Sequence, residues 1–92
     1  MDDRFEWDEV KRLANIEKHD IDFLRIRLVF DGRPNITNTS QTADEQRLLT
    51  SGSIDDVFYT VVWTWRGERI RIISARRARD AEKRAHRQLH GE

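Results

Sequence analysis

The stretch from Phe58 to Arg79, FYTVVWTWRGERIRIISARRAR, constrains the fold more than any other. Phe58 to Trp65 is aromatic and β-branched, a composition suited to a pleated, half-buried surface, and predicts a strand. Arg66-Gly67 then predicts a turn. Arg is poorly suited to a positive φ, so a type I turn with Gly67 in a G1 bulge is expected. From Glu68 to Ala75 the chain returns. Ile70 and Ile72 alternate with Arg69 and Arg71, which gives one aliphatic face and one face of guanidinium groups. Arg76, Arg77 and Arg79 follow where this strand should give way to a last helix. Packing alone does not require so many arginines at one corner.

The chain before the hairpin supplies its support. Arg4 to Trp7 predicts a short extended segment with Phe5 and Trp7 on one face and Glu6 on the other. Asp8 is placed to cap a helix from Glu9 to His19, with Val10, Leu13, Ala14 and the Glu17 stem as its inner side. Lys18 and His19 fall in the last turn, where positive charge is favoured. Asp22 caps a second helix, Phe23 to about Phe30, with Phe23, Ile26 and Phe30 inward and Leu24 and Leu28 broadening the stripe. Asp31-Gly32-Arg33-Pro34 ends it. Asn35 to Thr42 predicts an edge strand, Glu45 to Ser51 a short strand, and Gly52 to Asp56 a turn. Asp80 to Leu89 predicts a last helix whose apolar stripe, Ala78, Ala81, Ala85 and Leu89, is thin.

This order, β-α-α-β-β-β-β-α, predicts an α+β fold, with two N-terminal helices packed on one face of an antiparallel sheet plus a C-terminal helix. At 92 residues the chain is expected to form one domain, residues 1–92, burying about 60–70% of its unfolded surface. It has no Cys, which excludes disulfides, thiolate zinc sites and a Cys nucleophile. An acidic N-terminus without an apolar core, and no long apolar run, predict a cytoplasmic protein without membrane contact. Net charge is zero, yet residues 1–56 carry 8 Lys/Arg against 13 Asp/Glu, and residues 66–92 carry 9 against 4. That local basic field, rather than the total, is what attracts a polyanion.

Several stretches together resemble one family: FEWDE, the helix end N-x-x-KH (Asn15 to His19), VFDG, EQRLLTSG, and GERIRIISARRA (Gly67 to Ala78) followed by Glu82. The chain is similar over essentially its whole length to the BrnT toxins of type II toxin–antitoxin pairs. The resemblance implies a RelE-like fold and a metal-independent endoribonuclease that needs no cofactor. It further implies a protein that cleaves RNA at the ribosome, inhibits translation and causes growth arrest. A BrnA-type antitoxin with a ribbon-helix-helix region would neutralise it and supply the only contact with DNA. The sequence departs from the family pattern at Gln46, in the 33–45 loop, and at Asp20, where a Gly is usual after KH.

Metal-free RNA cleavage needs a base for the 2′-hydroxyl, cations for the phosphorane and an acid for the leaving 5′-oxygen. Arg47, Arg69, Arg71, Arg76 and Arg77 are the candidate cations, since a guanidinium pairs phosphate oxygens in a fork. Arg76 and Arg77 are expected to matter more than Arg79. The alternative for each is a solvated side chain paired with Glu68, Asp80 or Glu82. His19 is the candidate acid or base, or else a helix-end His that complements the dipole. Glu68 and Glu82 are alternative bases. Lys18, Trp65 and Glu68 are candidate RNA contacts, Trp65 by stacking a base, whereas Tyr59 and Trp63 are assigned to the core. His86 and His90 have metal-ligand spacing without a third ligand, so no metal site is assigned. A non-catalytic module that binds RNA or its partner, or a corepressor, is the competing function.

Overall fold

The computed structural model describes residues 4–41 and 45–91. The elements are β1 (Phe5–Glu6), α1 (Glu9–His19), α2 (Phe23–Ile26) continuing as a 3-10 turn (Arg27–Phe30), β2 (Asn35–Gln41), β3 (Gln46–Ile54), β4 (Val57–Arg66), β5 (Arg69–Arg77) and α3 (Asp80–His90). The class is α+β, and the strands form one five-stranded sheet in the order β1-β5-β4-β3-β2. β2 to β5 are an antiparallel meander. β1, however, pairs in parallel with β5, Phe5 beside Ile70 and Glu6 beside Arg71. The sheet is therefore mixed rather than antiparallel throughout. A parallel neighbour requires a long connection, and the helices and the meander between β1 and β5 provide it. Thr42, the expected end of the edge strand, lies outside the described residues.

Both tight turns differ from expectation. β3 runs on through Gly52 to Ile54, and the turn is the pair Asp55-Asp56, with φ of 51° and 66°. Two positive φ values are the mark of a type I′ turn, whose twist matches the strands it joins. Gly52 serves close approach instead, since a Cβ there would lie 3.3 Å from the Val29 Cγ1. In the second hairpin Arg66 stays in the strand opposite Arg69, leaving Gly67-Glu68 as the loop. Gly67 alone has a positive φ, 61°, the sign pattern of a type II′ turn rather than type I with a G1 bulge. A bulge does occur, but within β5: Val62 pairs with Ser74 and Trp63 with Ile72, so Ile73 is the extra residue.

The core joins Phe5, Phe23, Ile26 and Val29 to Ile54, Val61, Trp63, Ile72 and Ala75 of the sheet. Phe30 stands edge-on to Trp63 at 5.4 Å, and Trp63 donates its indole N–H to the Thr50 hydroxyl at 2.8 Å. Trp63 is buried and Tyr59 packs against the core, as expected. The inner stripe after Asp22 is Phe23, Ile26 and Val29, with Leu24 and Leu28 exposed. Tightening into a 3-10 turn changes the repeat to three and brings Val29, not Leu28, inward.

α1 has the predicted bounds and the predicted cap, Asp8 accepting the Val10 N–H at 2.8 Å, but not the predicted inner side. Val10 is 75% and Leu13 56% exposed, and Ala14 is exposed as well; the buried residue is Asn15. Polar bonds set this rotation. The Asn15 amide donates to the Ile21 carbonyl at 2.9 Å and accepts the Ala75 N–H at 3.1 Å, satisfying the edge of β5 beyond the short β1. Arg12 forks onto Asp22 at 2.8 and 3.0 Å and lowers the pKa of that carboxyl. The opposite rotation would strand a backbone donor at the sheet edge and leave Arg12 without its carboxylate, costs that together offset the burial of two aliphatics. Asp20, φ 57°, takes the left-handed position that ends the helix, which is where Gly is sterically cheapest.

α3 also docks differently from its alanine stripe. Ala78 is buried ahead of the helix, Ala81 is exposed and Leu89 is 60% exposed. His86 is the buried residue, edge-on to Phe58 at 5.0 Å. His86 and His90 donate from Nε2 to the carbonyls of Pro34 and Asn35, at 3.1 and 2.8 Å. A carbonyl only accepts, so each Nε2 carries its proton.

A candidate RNA-binding cleft

Directly opposed residues in neighbouring strands share a face. By register Arg71 lies opposite Thr64 of β4 and opposite Glu6 of β1. Arg47 falls opposite Thr64 on the other side, one step beyond the Leu48–Trp63 pair. The result is a cross-strand row, Arg47–Thr64–Arg71–Glu6, with the two arginines two strand spacings apart, about 10 Å. Its Arg47, Thr64 and Arg71 floor a cleft of about 430 Å³ whose walls include Lys11, Arg66, Trp65 and Ile73. Arg71 bonds Glu6 at 2.7 Å, Arg66 stands 3.9 Å from the same carboxylate, and Arg47 bonds Glu45 at 3.0 Å. Four cations thus line one cleft against two carboxylates, which leaves a positive field where an anion can displace solvent.

A second cleft, about 260 Å³, opens between α1 and the bulge of β5 and is lined by Lys18, His19, Asn15 and Ser74. Lys11 and Ile73 line both clefts, so the two adjoin. The bulge widens this junction by setting Ile73 out of the regular ladder.

Of the residues singled out in the sequence, the structure brings Arg47, Arg71 and Trp65 to the first cleft and Lys18 and His19 to the second. Trp65 is 57% exposed with its ring edge-on to Trp63 at 5.0 Å; by alternation that indole lies on the sheet face opposite Thr64, so it can meet a nucleotide only at the sheet's end. Arg69 and Glu68 are exposed at the hairpin tip, outside both clefts, and Arg77 is exposed opposite Tyr59. Arg76 is engaged elsewhere: it forks onto Glu82 at 2.7 and 2.9 Å, and both side chains are less than 20% exposed. Glu82 also accepts the Arg79 N–H at 2.7 Å, and these donors hold its pKa down to about 2. Such a carboxylate is unfit as a base near neutrality. His86 and His90 are spent on carbonyls, and no group of three or more His, Cys, Asp or Glu among the described residues is placed to hold a metal ion.

Lys11, Arg66 and Thr64 also line the first cleft, and Glu6 holds its Arg71 from the side; none was a candidate in the sequence. Alternation put Glu6 opposite to Phe5 and Trp7 in the sequence, but only the parallel pairing of β1 with β5 places it beside Arg71. Arg66 was hidden by the turn expected at its position, and Lys11 by the expected rotation of α1.

Comparison with curated proteins gives no match. A family model, described as the ribonuclease toxin BrnT of type II toxin–antitoxin systems, matches residues 7–82. The match takes in α1, the meander and the arginine-rich strand, ending on the Glu82 that fixes Arg76. The chain therefore belongs to the BrnT family of type II toxin–antitoxin ribonuclease toxins.

Proposed function

We propose that this protein is an endoribonuclease that cleaves RNA by transesterification in the Arg47–Thr64–Arg71 cleft, without a metal ion or other cofactor. The cross-strand row carries this assignment: two guanidinium groups face one another across a hydroxyl, with Lys11 and Arg66 beside them. In this mechanism the 2′-oxygen attacks the adjacent phosphorus and the 5′-oxygen leaves, giving a 2′,3′-cyclic phosphate and a free 5′-hydroxyl. Arg47 and Arg71 neutralise the charge that develops on the phosphorane, which is where preorganised donors lower a barrier most. His19, from the adjoining cleft, does acid–base work on the exchanged proton. Lys18 guides the backbone and Trp65 stacks a base at the sheet's end. Arg69 and Arg77 contribute long-range field, Glu68 can contact RNA only through a sugar or base donor at the hairpin tip, and Arg76 holds the α3 end of the sheet.

The same proposal has the chain acting as one RelE-like domain in the cytoplasm, cutting RNA on the ribosome, inhibiting translation and arresting growth. A BrnA-type antitoxin with a ribbon-helix-helix region would neutralise it and make the DNA contact. No helix among the described residues is long and apolar enough to cross a membrane.

The test is cleavage of labelled RNA, with and without ribosomes and in the presence of a chelator, by wild type and by Arg47→Ala/Arg71→Ala. Cyclic-phosphate ends from wild type and none from the double variant are expected. Loss of cutting in chelator alone would overturn the metal-free chemistry. Binding without scission would instead favour a non-catalytic RNA- or partner-binding module, a role to which the existing Arg71–Glu6 and Arg47–Glu45 pairs are also suited.

A further inference from the structure

α1 is amphipathic in the reverse sense: its polar Asn15 and Arg12 face the protein, and its aliphatics other than the half-buried Ile16 face solvent. Val10, Leu13 and Ala14 lie at i, i+3 and i+4, so they form one stripe, and all three are exposed. Single exposed aliphatics are ordinary. A stripe that occupies the outer face of a well-capped helix is what a helix buried against a partner carries. Four of the six large exposed apolar side chains among the described residues, Val10, Leu13, Leu24 and Leu28, fall on α1 and the segment after Asp22.

We infer that the outward face of α1 is the docking site of the antitoxin, which meets it with an acidic amphipathic segment. Two observations fix the occupant. The chain belongs to a type II toxin–antitoxin family, in which a protein antitoxin is the partner. The stripe is also bordered on its cleft side by Lys11 and Lys18, which together with Ala14 line the smaller cleft. Apolar side chains on Val10 and Leu13 flanked by carboxylates reaching Lys11 and Lys18 satisfy both, in the helix-on-surface mode of recognition. Because Lys11 also lines the larger cleft, the docked segment closes the approach to the arginine row. That consequence, though not the docking itself, rests on the function proposed above.

The experiment is calorimetric titration of the cognate antitoxin into the full-length toxin as wild type, as Val10→Ser/Leu13→Ser and as Leu89→Ser, with hydrogen exchange read on the wild-type complex. The α1 double variant is expected to weaken the complex about 100-fold, the scale for losing central apolar anchors. Leu89→Ser, exposed on α3, is expected to bind as wild type does, and amides of α1 are expected to gain protection in the complex. Unchanged affinity in the double variant, or loss of affinity in Leu89→Ser alone, would overturn the assignment. So would a double variant that converts a toxin dimer to monomer without altering antitoxin affinity, since a second copy would then be the occupant. Val10 and Leu13 line neither cleft, so the free double variant should cut RNA at the wild-type rate. If no variant cuts RNA, the ribonuclease mechanism fails while the affinities still decide where the antitoxin sits.

Discussion

The two ends of β5 hold the same residue type in opposite circumstances. At one end Arg76 is covered by α3 and forked onto Glu82, with both side chains less than 20% exposed. At the other end Arg71 has one bond to Glu6, a carboxylate that also faces Arg66, and lies in an open cleft. The ends are separated by about 15 Å of strand. What distinguishes them is supply: the α3 end provides one carboxylate aimed by its own helix cap, while the cleft end provides more cations than anions. An Arg run is therefore not one patch. One end is a clasp and the other is a cleft lined by cations.

The largest test of this contrast is Arg71→Ala, which should lower RNA cleavage by roughly 10²–10³-fold. Its thermal stability should fall less than that of Arg76→Ala, because Arg71 makes a single bond to Glu6 and Arg66 stays beside that carboxylate. Measuring single-turnover cleavage and melting on one preparation checks both, and wild-type cutting by Arg71→Ala would erase the contrast. Arg76→Ala should do the opposite, costing about 1–3 kcal/mol in urea denaturation by stranding a half-buried carboxylate, with cleavage per folded molecule unchanged.

A pH titration sharpens the clasp end. Glu82 sits at about 2 in the folded protein against a usual value of 4.5, chiefly through the Arg76 fork. A folded value below the unfolded one means that its stabilisation is present above 4.5 and is lost as the pH falls towards 2. The difference in melting temperature between wild type and Glu82→Gln should thus be widest near neutrality and close on acidification through that window. A constant difference would show that the ion pair is not its source. The smallest effect is expected beside the second cleft. Asp20→Gly relieves a left-handed residue at the end of α1 and should raise stability by about 0.5–1 kcal/mol, read as a higher urea midpoint with cleavage retained. A lower midpoint would contradict the αL geometry assigned to residue 20.

The elements were legible in the sequence because their signals are local. Asp8 and Asp22 mark helix starts by the carboxylate they offer to the first turn, and β4 declares itself by its β-branched and aromatic run. Family resemblance likewise follows from contiguous stretches such as RIISARR. What the sequence hid depends on residues far apart. The rotation of α1 is decided by Asn15 meeting Ala75 and Arg12 meeting Asp22, so hydrophobic periodicity pointed to the wrong side of a correctly placed helix. Glu6 reaches the cleft's Arg71 only through their register. Pairing with Glu82 was an alternative the sequence offered to every arginine of the run, and only the packing of α3 gives it to Arg76.

The extra residue in β5 has one more effect. Arg71 and Arg76 are five positions apart, and in an unbroken strand an odd separation sends side chains to opposite surfaces. Their partners Thr64 and Thr60 are four apart on β4, so both arginines emerge on the same side only because Ile73 shifts the phase. The strand is in effect written in two frames, one for the cleft and one for the clasp. Deleting Ile73 would leave the two arginines four apart on an unbroken strand and still on one side, whereas straightening the bulge with every residue kept would aim one of them into the apolar side of the sheet.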